Sequence, residues 1–244
     1  MNICLLNDSF PPVIDGVVNV VQNYAAILGG DGPSGDRVIV GTPRYPGTDY
    51  TGYPYEVVPY RSIDTEKAAS GYRAGDPFDM RALRDMAAFR PDVIHAHSPA
   101  SAAIMARVLR NMTDAPVIYT YHTKYDIDIA RAVRGELMQK EAVRAIVENV
   151  SACDEVWAVS HGAGENLRSL GYEGEIRVMP NGVDFPKGRA DEDAVAEAVR
   201  GYDLPEGVPV FLFVGRITHP APWPAWRCPW STSRSPPPPR SCRR

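Results

Sequence analysis

His122 is the residue placed to do chemistry most directly. It lies near the end of Val117-Ile-Tyr-Thr-Tyr-His-Thr-Lys124, so an imidazole stands just beyond an apolar run with Lys124 two residues on. An imidazole there can orient a hydroxyl, or stabilise positive charge developing in a reacting ring. It can equally do no more than satisfy a neighbouring backbone group. Upstream, Arg90-Pro-Asp-Val-Ile-His-Ala-His-Ser-Pro99 carries two histidines at alternating positions, which share one face of an extended strand. His97, at the edge where the run ends, is the functional candidate. His95 reads as a satisfied core or near-surface histidine. A zinc site built on this pair has no third ligand in a compelling position, so no metal is expected.

Backbone chemistry is the second resource. Asn7-Asp-Ser-Phe-Pro-Pro-Val-Ile-Asp-Gly16 joins an apolar run to a helical pattern. Glycine at position 16 lets a phosphate approach the helix start, where N–H donors are free. A glycine chosen only for the turn accounts for the same residues. The pair Asp15-Gly16 is not the Gly-x-Gly-x-x-Gly dinucleotide fingerprint, so a nicotinamide cofactor is not expected. Ser160 reads as a helix cap, and without a Gly-x-Ser-x-Gly a hydrolase elbow is unsupported. Asp126-Ile-Asp128 looks like a metal-binding Asp-x-Asp, but it opens a long helix where aspartate also works as a cap. Asn181 begins an Asn-Gly turn after Ile176-Arg-Val-Met179.

The elements that must carry these residues alternate along the chain. Strands are expected at Ile3–Leu6, Arg37–Gly41, Tyr55–Pro59, Val93–Ala96, Val117–Tyr121, Glu155–Val159 and Ile176–Met179. Helices are expected at Gly16–Leu28, Pro77–Phe89, Pro99–Arg110, Ile129–Val150, His161–Leu170 and Asp191–Arg200. Arg44–Tyr53 and Ser70–Asp76 read as loops. Short strands apolar on both faces, alternating with helices, predict an α/β fold: a parallel sheet with helices on both faces. In such sheets ligands sit outside the carboxyl ends of the strands, which is where most of the polar clusters fall.

Composition narrows the partners. The whole chain carries −4, with 26 basic and 30 acidic residues. The last 27 residues, Thr218 to Arg244, hold five Arg, eight Pro, three of the four Trp and no acid. Removing those five Arg leaves 21 basic residues against 30 acidic ones, so the body is at about −9. An acidic body argues against nucleic acid. Cys4, Cys153, Cys228 and Cys242 show no metal or disulfide spacing. The first residues lack a signal-peptide pattern and no apolar run reaches membrane-spanning length, so a cytoplasmic protein is expected. Pro209-Val-Phe-Leu-Phe-Val-Gly-Arg216 reads as the first strand of a second domain, yet a Pro/Arg-rich tail follows that cannot pack a core.

In order along the chain come Asn7-Asp-x-Phe-Pro-Pro with Asp15-Gly-Val, His95-Ala-His-Ser-Pro, Thr120-Tyr-His-Thr, Val159-Ser, Pro180-Asn-Gly-Val-Asp184 and Phe213-Val-Gly-Arg216. That series resembles glycosyltransferase family 4, the retaining, nucleotide-sugar-dependent transferases with the GT-B fold. The resemblance runs from Met1 to about Ile217 and is strongest to members that glycosylate lipids such as diacylglycerol or phosphatidylinositol. It implies that residues 1–186 form a Rossmann-like, acceptor-side domain. Residues 187–217 are then a linker and the stump of a donor-binding domain, with 218–244 an aberrant disordered tail. It also implies Gly16 against the donor diphosphate, His122 beside the transferred sugar as the catalytic group, and Arg216 on the leaving diphosphate. Asp15, His97, Lys124 and Asn181 become further substrate-binding positions. No cofactor or metal is implied; the partners are a nucleotide sugar and a lipid or glycan acceptor, with peripheral contact at the inner face of a membrane.

The departures lie at the end. The family's Lys-Gly after Gly-Arg is replaced by Ile217-Thr-His-Pro-Ala-Pro222, and the later Glu-x7-Glu motif has no counterpart. Loss of one charge-stabilising donor can cost on the order of 3 kcal/mol in an active site, so little or no transfer is expected from this chain alone. The alternative expectation is a non-enzymatic module that binds an acceptor or a membrane surface.

Overall fold

Asn2–Leu6 (β1) divides the core in two. Its side chains alternate, so Ile3 and Leu5 face one side of the sheet and Cys4 and Leu6 the other. Ile3 and Leu5 pack with Phe10, Val38 and Val40, and with Val21 and Ala25 of helix Gly16–Leu28 (α1). Cys4 and Leu6 join a larger cluster with residues of helices Met80–Ala88 (α2) and Ser101–Thr113 (α3). Both faces of a fully buried strand must be apolar, which is why the sequence shows runs and not alternation.

The computed structural model describes residues 1–29, 35–65, 71–182 and 188–202. Further strands are Arg37–Pro43 (β2), Glu56–Tyr60 (β3), Ser62–Asp64 (β4), Arg73–Gly75 (β5), Val93–Ala96 (β6), Val117–Tyr121 (β7), Glu155–Ala158 (β8) and Arg177–Val178 (β9). Further helices are Tyr125–Ala132 (α4), Glu136–Ser151 (α5), His161–Ser169 (α6) and Glu192–Val199 (α7). Seven strands form one sheet in the order β3-β2-β1-β6-β7-β8-β9, parallel throughout. The expected α/β class and all seven expected strands are therefore present. The order reverses between β1 and β6, which makes the loops after these two strands the crevice of the sheet.

The chain divides into two compact units, Met1–Phe185 and Pro186–Arg244. In the second, α7 is capped by Asp191, whose carboxylate accepts from the Ala194 amide at 2.9 Å. The expected strand Pro209–Arg216, the tail from Thr218, and Val183 and Asp184 of the Asn-Gly turn lie outside the described residues.

Two expectations are corrected. The helix expected over Ile129–Val150 is two helices, α4 and α5. They part at Gly135, whose φ of +89° a side chain would resist. The Gln139 amide donates to the Val133 carbonyl at 2.8 Å and closes the break. The loop expected at Ser70–Asp76 instead contains β5, which pairs antiparallel with β4. Asp79 ties that ribbon to the body: one carboxylate oxygen caps α2 through the Arg81 amide, and the other accepts from the Arg61 amide at 2.8 Å.

Candidate functional site

The start of α1 stands in the crevice after β1. Asp15 caps the helix, one carboxylate oxygen accepting from the Val18 amide at 2.8 Å. The other oxygen accepts from the Tyr72 hydroxyl at 2.9 Å and from Ser9 Oγ at 3.2 Å. Tyr72 arrives on the β4–β5 ribbon, which the sequence reading treated as loop. Gly16 follows Asp15 with no left-handed φ, and a Cβ built on it meets nothing within 4 Å. Neither the backbone nor protein packing demands glycine there. What its absent side chain leaves is open space before the first N–H groups of a helix, a geometry suited to an anion.

Strand alternation brings three imidazoles together on the α1 face of the sheet. His95 and His97 are spaced by two in one strand path, with ring centroids 4.0 Å apart. Tyr24 of α1 packs against both. His95 Nε2 shares a 2.7 Å hydrogen bond with Thr120 Oγ1, and Trp157 meets its ring edge-on. His97 Nδ1 shares a 3.0 Å bond with His122 Nε2, while the buried His97 Nε2 has no partner among the described residues. Burial holds all three neutral: His95 falls to about 3 and His122 to about 4, and His97 drops well below its ordinary value. The Asp15 carboxylate acts on His122 in the opposite direction.

His97 corrects the sequence reading. It was expected at the crevice edge, yet it has no exposed surface. Its amide donates to the Leu6 carbonyl at 2.8 Å, so the β1–β6 ladder continues one residue further and carries the ring inward. His95 matches the satisfied core histidine expected. Lys124 is exposed just before α4. Asn181 is exposed after β9, at the edge of the sheet and not beside the switch point. Arg216 lies outside the described residues. Asp126 sits inside the first turn of α4, not at its cap, and accepts from the Asn166 amide at 3.3 Å. Ser160 does cap α6, accepting from the Ala163 amide at 3.1 Å.

Asp8 is the site residue the sequence reading passed over. Helix α3 has Ala100 at its cap position and no cap of its own. Asp8 supplies one from across the crevice, accepting from the Ala102 amide at 2.7 Å and the Ala100 amide at 3.2 Å. The residue keeps some exposed surface, but its carboxyl lies in a dense setting. That burial pushes its pKa up to about 6, against the lowering pull of the α3 amides and Tyr60. A partner 94 positions away leaves no local signal.

Two further chemistries are not assembled among the described residues. Burial raises the Cys4 and Cys153 thiols to about 12, so neither supplies a thiolate. Among the described residues, no group of three or more His, Cys, Asp or Glu is placed to hold a metal ion. Two grooves of about 640 Å³ and 690 Å³ lie along α4–α5 and beside β3–α2. Neither groove is lined by Asp15, Gly16 or His122.

Comparison with known proteins bears on the family of the chain. The profile of Glycosyltransferase Family 4 matches residues 14–186. Sulfoquinovosyl transferase SQD2 of Arabidopsis thaliana is 26% identical over 84% of this chain and 39% of its own length. Alpha-monoglucosyldiacylglycerol synthase of Streptococcus pneumoniae is 23% identical over 90% of this chain and 49% of its own. This chain thus spans less than half of each. A sucrose-phosphate synthase structure from Thermosynechococcus elongatus aligns at a TM-score of 0.42 and 15% identity, covering 75% of this chain and 91% of that one.

Proposed function

The chain belongs to Glycosyltransferase Family 4, and from that premise we propose that Met1–Phe185 is the acceptor-side lobe of a retaining hexosyltransferase. The donor is a nucleotide sugar and the acceptor a lipid or glycan hydroxyl. The name of one relative, a monoglucosyldiacylglycerol synthase, favours the lipid. The observation that carries the reading is the open space at Gly16 before the α1 amides, beside Asp15 and His122. Departure of a nucleoside diphosphate builds negative charge, and aligned N–H groups stabilise it. In this proposal Gly16 lies against the diphosphate and His122 beside the transferred hexose. Lys124, Asn181 and Arg216 are assigned to substrate on their sequence motifs alone.

Titration of the full chain with uridine diphosphate or guanosine diphosphate tests this. The expected result is amide shift changes confined to Asp15–Val18 and the neighbouring crevice. Gly16→Ala is expected to abolish those changes while leaving stability within about 1 kcal/mol, because its Cβ meets no protein atom. Shift changes that survive the substitution, or none in the unaltered chain, would remove the diphosphate from this position.

A second reading, a module that rests on a membrane surface, draws on the break between α4 and α5. Leu137 is 72% and Met138 60% exposed, with Arg134 and Lys140 nearby in sequence. Lys140 is already paired with Glu136, so the apolar pair is the main attraction. No helix among the described residues is long and apolar enough to cross a membrane. Flotation with anionic phosphatidylglycerol vesicles should carry the chain upward, and L137E/M138E should lower the bound fraction several-fold. Equal flotation of both proteins would end this reading.

A further inference from the structure

We propose that His97 is the positioning residue that holds His122 in its Nδ1–H tautomer, so that His122 offers a donor, not a lone pair, to a ligand hydroxyl oxygen. The use of that donor rests on the transferase reading; the control of the tautomer does not. His97 is sealed, so it cannot meet a ligand itself. Among the described residues, its ring makes one hydrogen bond, Nδ1 to His122 Nε2 at 3.0 Å, and its buried Nε2 has no partner.

Two neutral rings can share that bond in only two ways. If His122 Nε2 donates, His97 must carry its own proton on Nε2, stranding an N–H in the core. If His97 Nδ1 donates, the stranded atom is a bare ring nitrogen. Buried N–H groups without an acceptor are the rarer defect, so the second arrangement is favoured. It places the His122 proton on Nδ1, the nitrogen left to meet a ligand.

The tautomer then selects between the two chemistries open to this imidazole. An N–H dipole pointed at a ring that is gaining positive charge is repulsive, whereas the same N–H can hold a hydroxyl oxygen in register. His122 is thereby an orienting group for a sugar hydroxyl, and His97 acts only through it.

Long-range proton–nitrogen correlation spectra of the full chain, labelled with nitrogen-15 at histidine, read the tautomer without any ligand. The unaltered chain should show His122 protonated at Nδ1 and bare at Nε2. His97→Asn, whose side-chain amide can donate from near the Nδ1 position, should keep that pattern. His97→Phe removes the donor, and a large share of His122 should move to the Nε2–H form. A His122 protonated at Nε2 in the unaltered chain would overturn the proposal even if neither variant folds. So would a pattern unchanged in a folded His97→Phe protein. Failure of the transferase reading would leave every one of these spectra as stated.

Discussion

Stability should fall by about 5 kcal/mol as pH drops from about 6 to about 4, a third or more of what an ordinary domain has. The cause is the buried imidazole cluster. His95, His97 and His122 have folded pKa values depressed below 6.5, to about 3, well below, and about 4. In that window the unfolded chain binds protons at these three positions and the folded chain does not. Their contribution is therefore complete above the unfolded value and is lost as pH falls. Asp8 opposes them. Its folded pKa is raised from 3.8 to about 6, so its contribution is complete at low pH and is lost as pH rises through 6. Three protons against one leaves a net difference near two, or roughly 3 kcal/mol per pH unit. Asp79, whose carboxyl is held low, adds loss of the same sign as the histidines, but lower on the pH scale. Urea unfolding across this range measures the slope. H95Q, which keeps an amide nitrogen near Thr120, should reduce it by about one proton per unit. A flat profile would mean that the imidazoles are hydrated, and the sealed cluster would be wrong.

That cluster marks the limit of what the sequence discloses. The seven-stranded sheet was legible because each strand is buried on both faces and must be written as an apolar run. His95 was legible as a core residue for the same reason. His97 was not, because the edge of the sheet is set by a hydrogen bond to Leu6, a residue far away in the chain. Asp15 was readable as a helix start, since its partner Val18 is three residues on. Its second partner, Tyr72, is 57 residues away, on a ribbon whose strands have three residues each and no alternation. The break at Gly135 was hidden because a lone glycine inside a helical period is tolerated unless φ turns positive. Local chemistry was visible; contacts that join distant segments were not.

The ribbon that carries Tyr72 is also the most vulnerable joint. G75V should lower stability by about 2–4 kcal/mol. A Cβ on Gly75 would stand 2.2 Å from Tyr60 Cε2, and the Tyr60 ring has no exposed surface. Tyr60 cannot swing clear, because it pairs with Pro43 in the sheet and its ring is locked in the main core cluster. The ribbon must lift instead. Lifting breaks the 2.8 Å bond from Ser101 Oγ to the Gly75 carbonyl and withdraws Tyr72 from Asp15. The Asp15 cap on Val18 survives, so α1 should persist while the crevice loses one wall. Y72F separates the two effects: it removes only the hydroxyl and should cost about 1 kcal/mol. Urea unfolding gives both energies, and hydrogen exchange should show the β4–β5 amides opening in G75V with β1 and β6 protected. If G75V is as stable as the unaltered chain, Tyr60 has room to yield, and the ribbon is not what fixes the partner of Asp15.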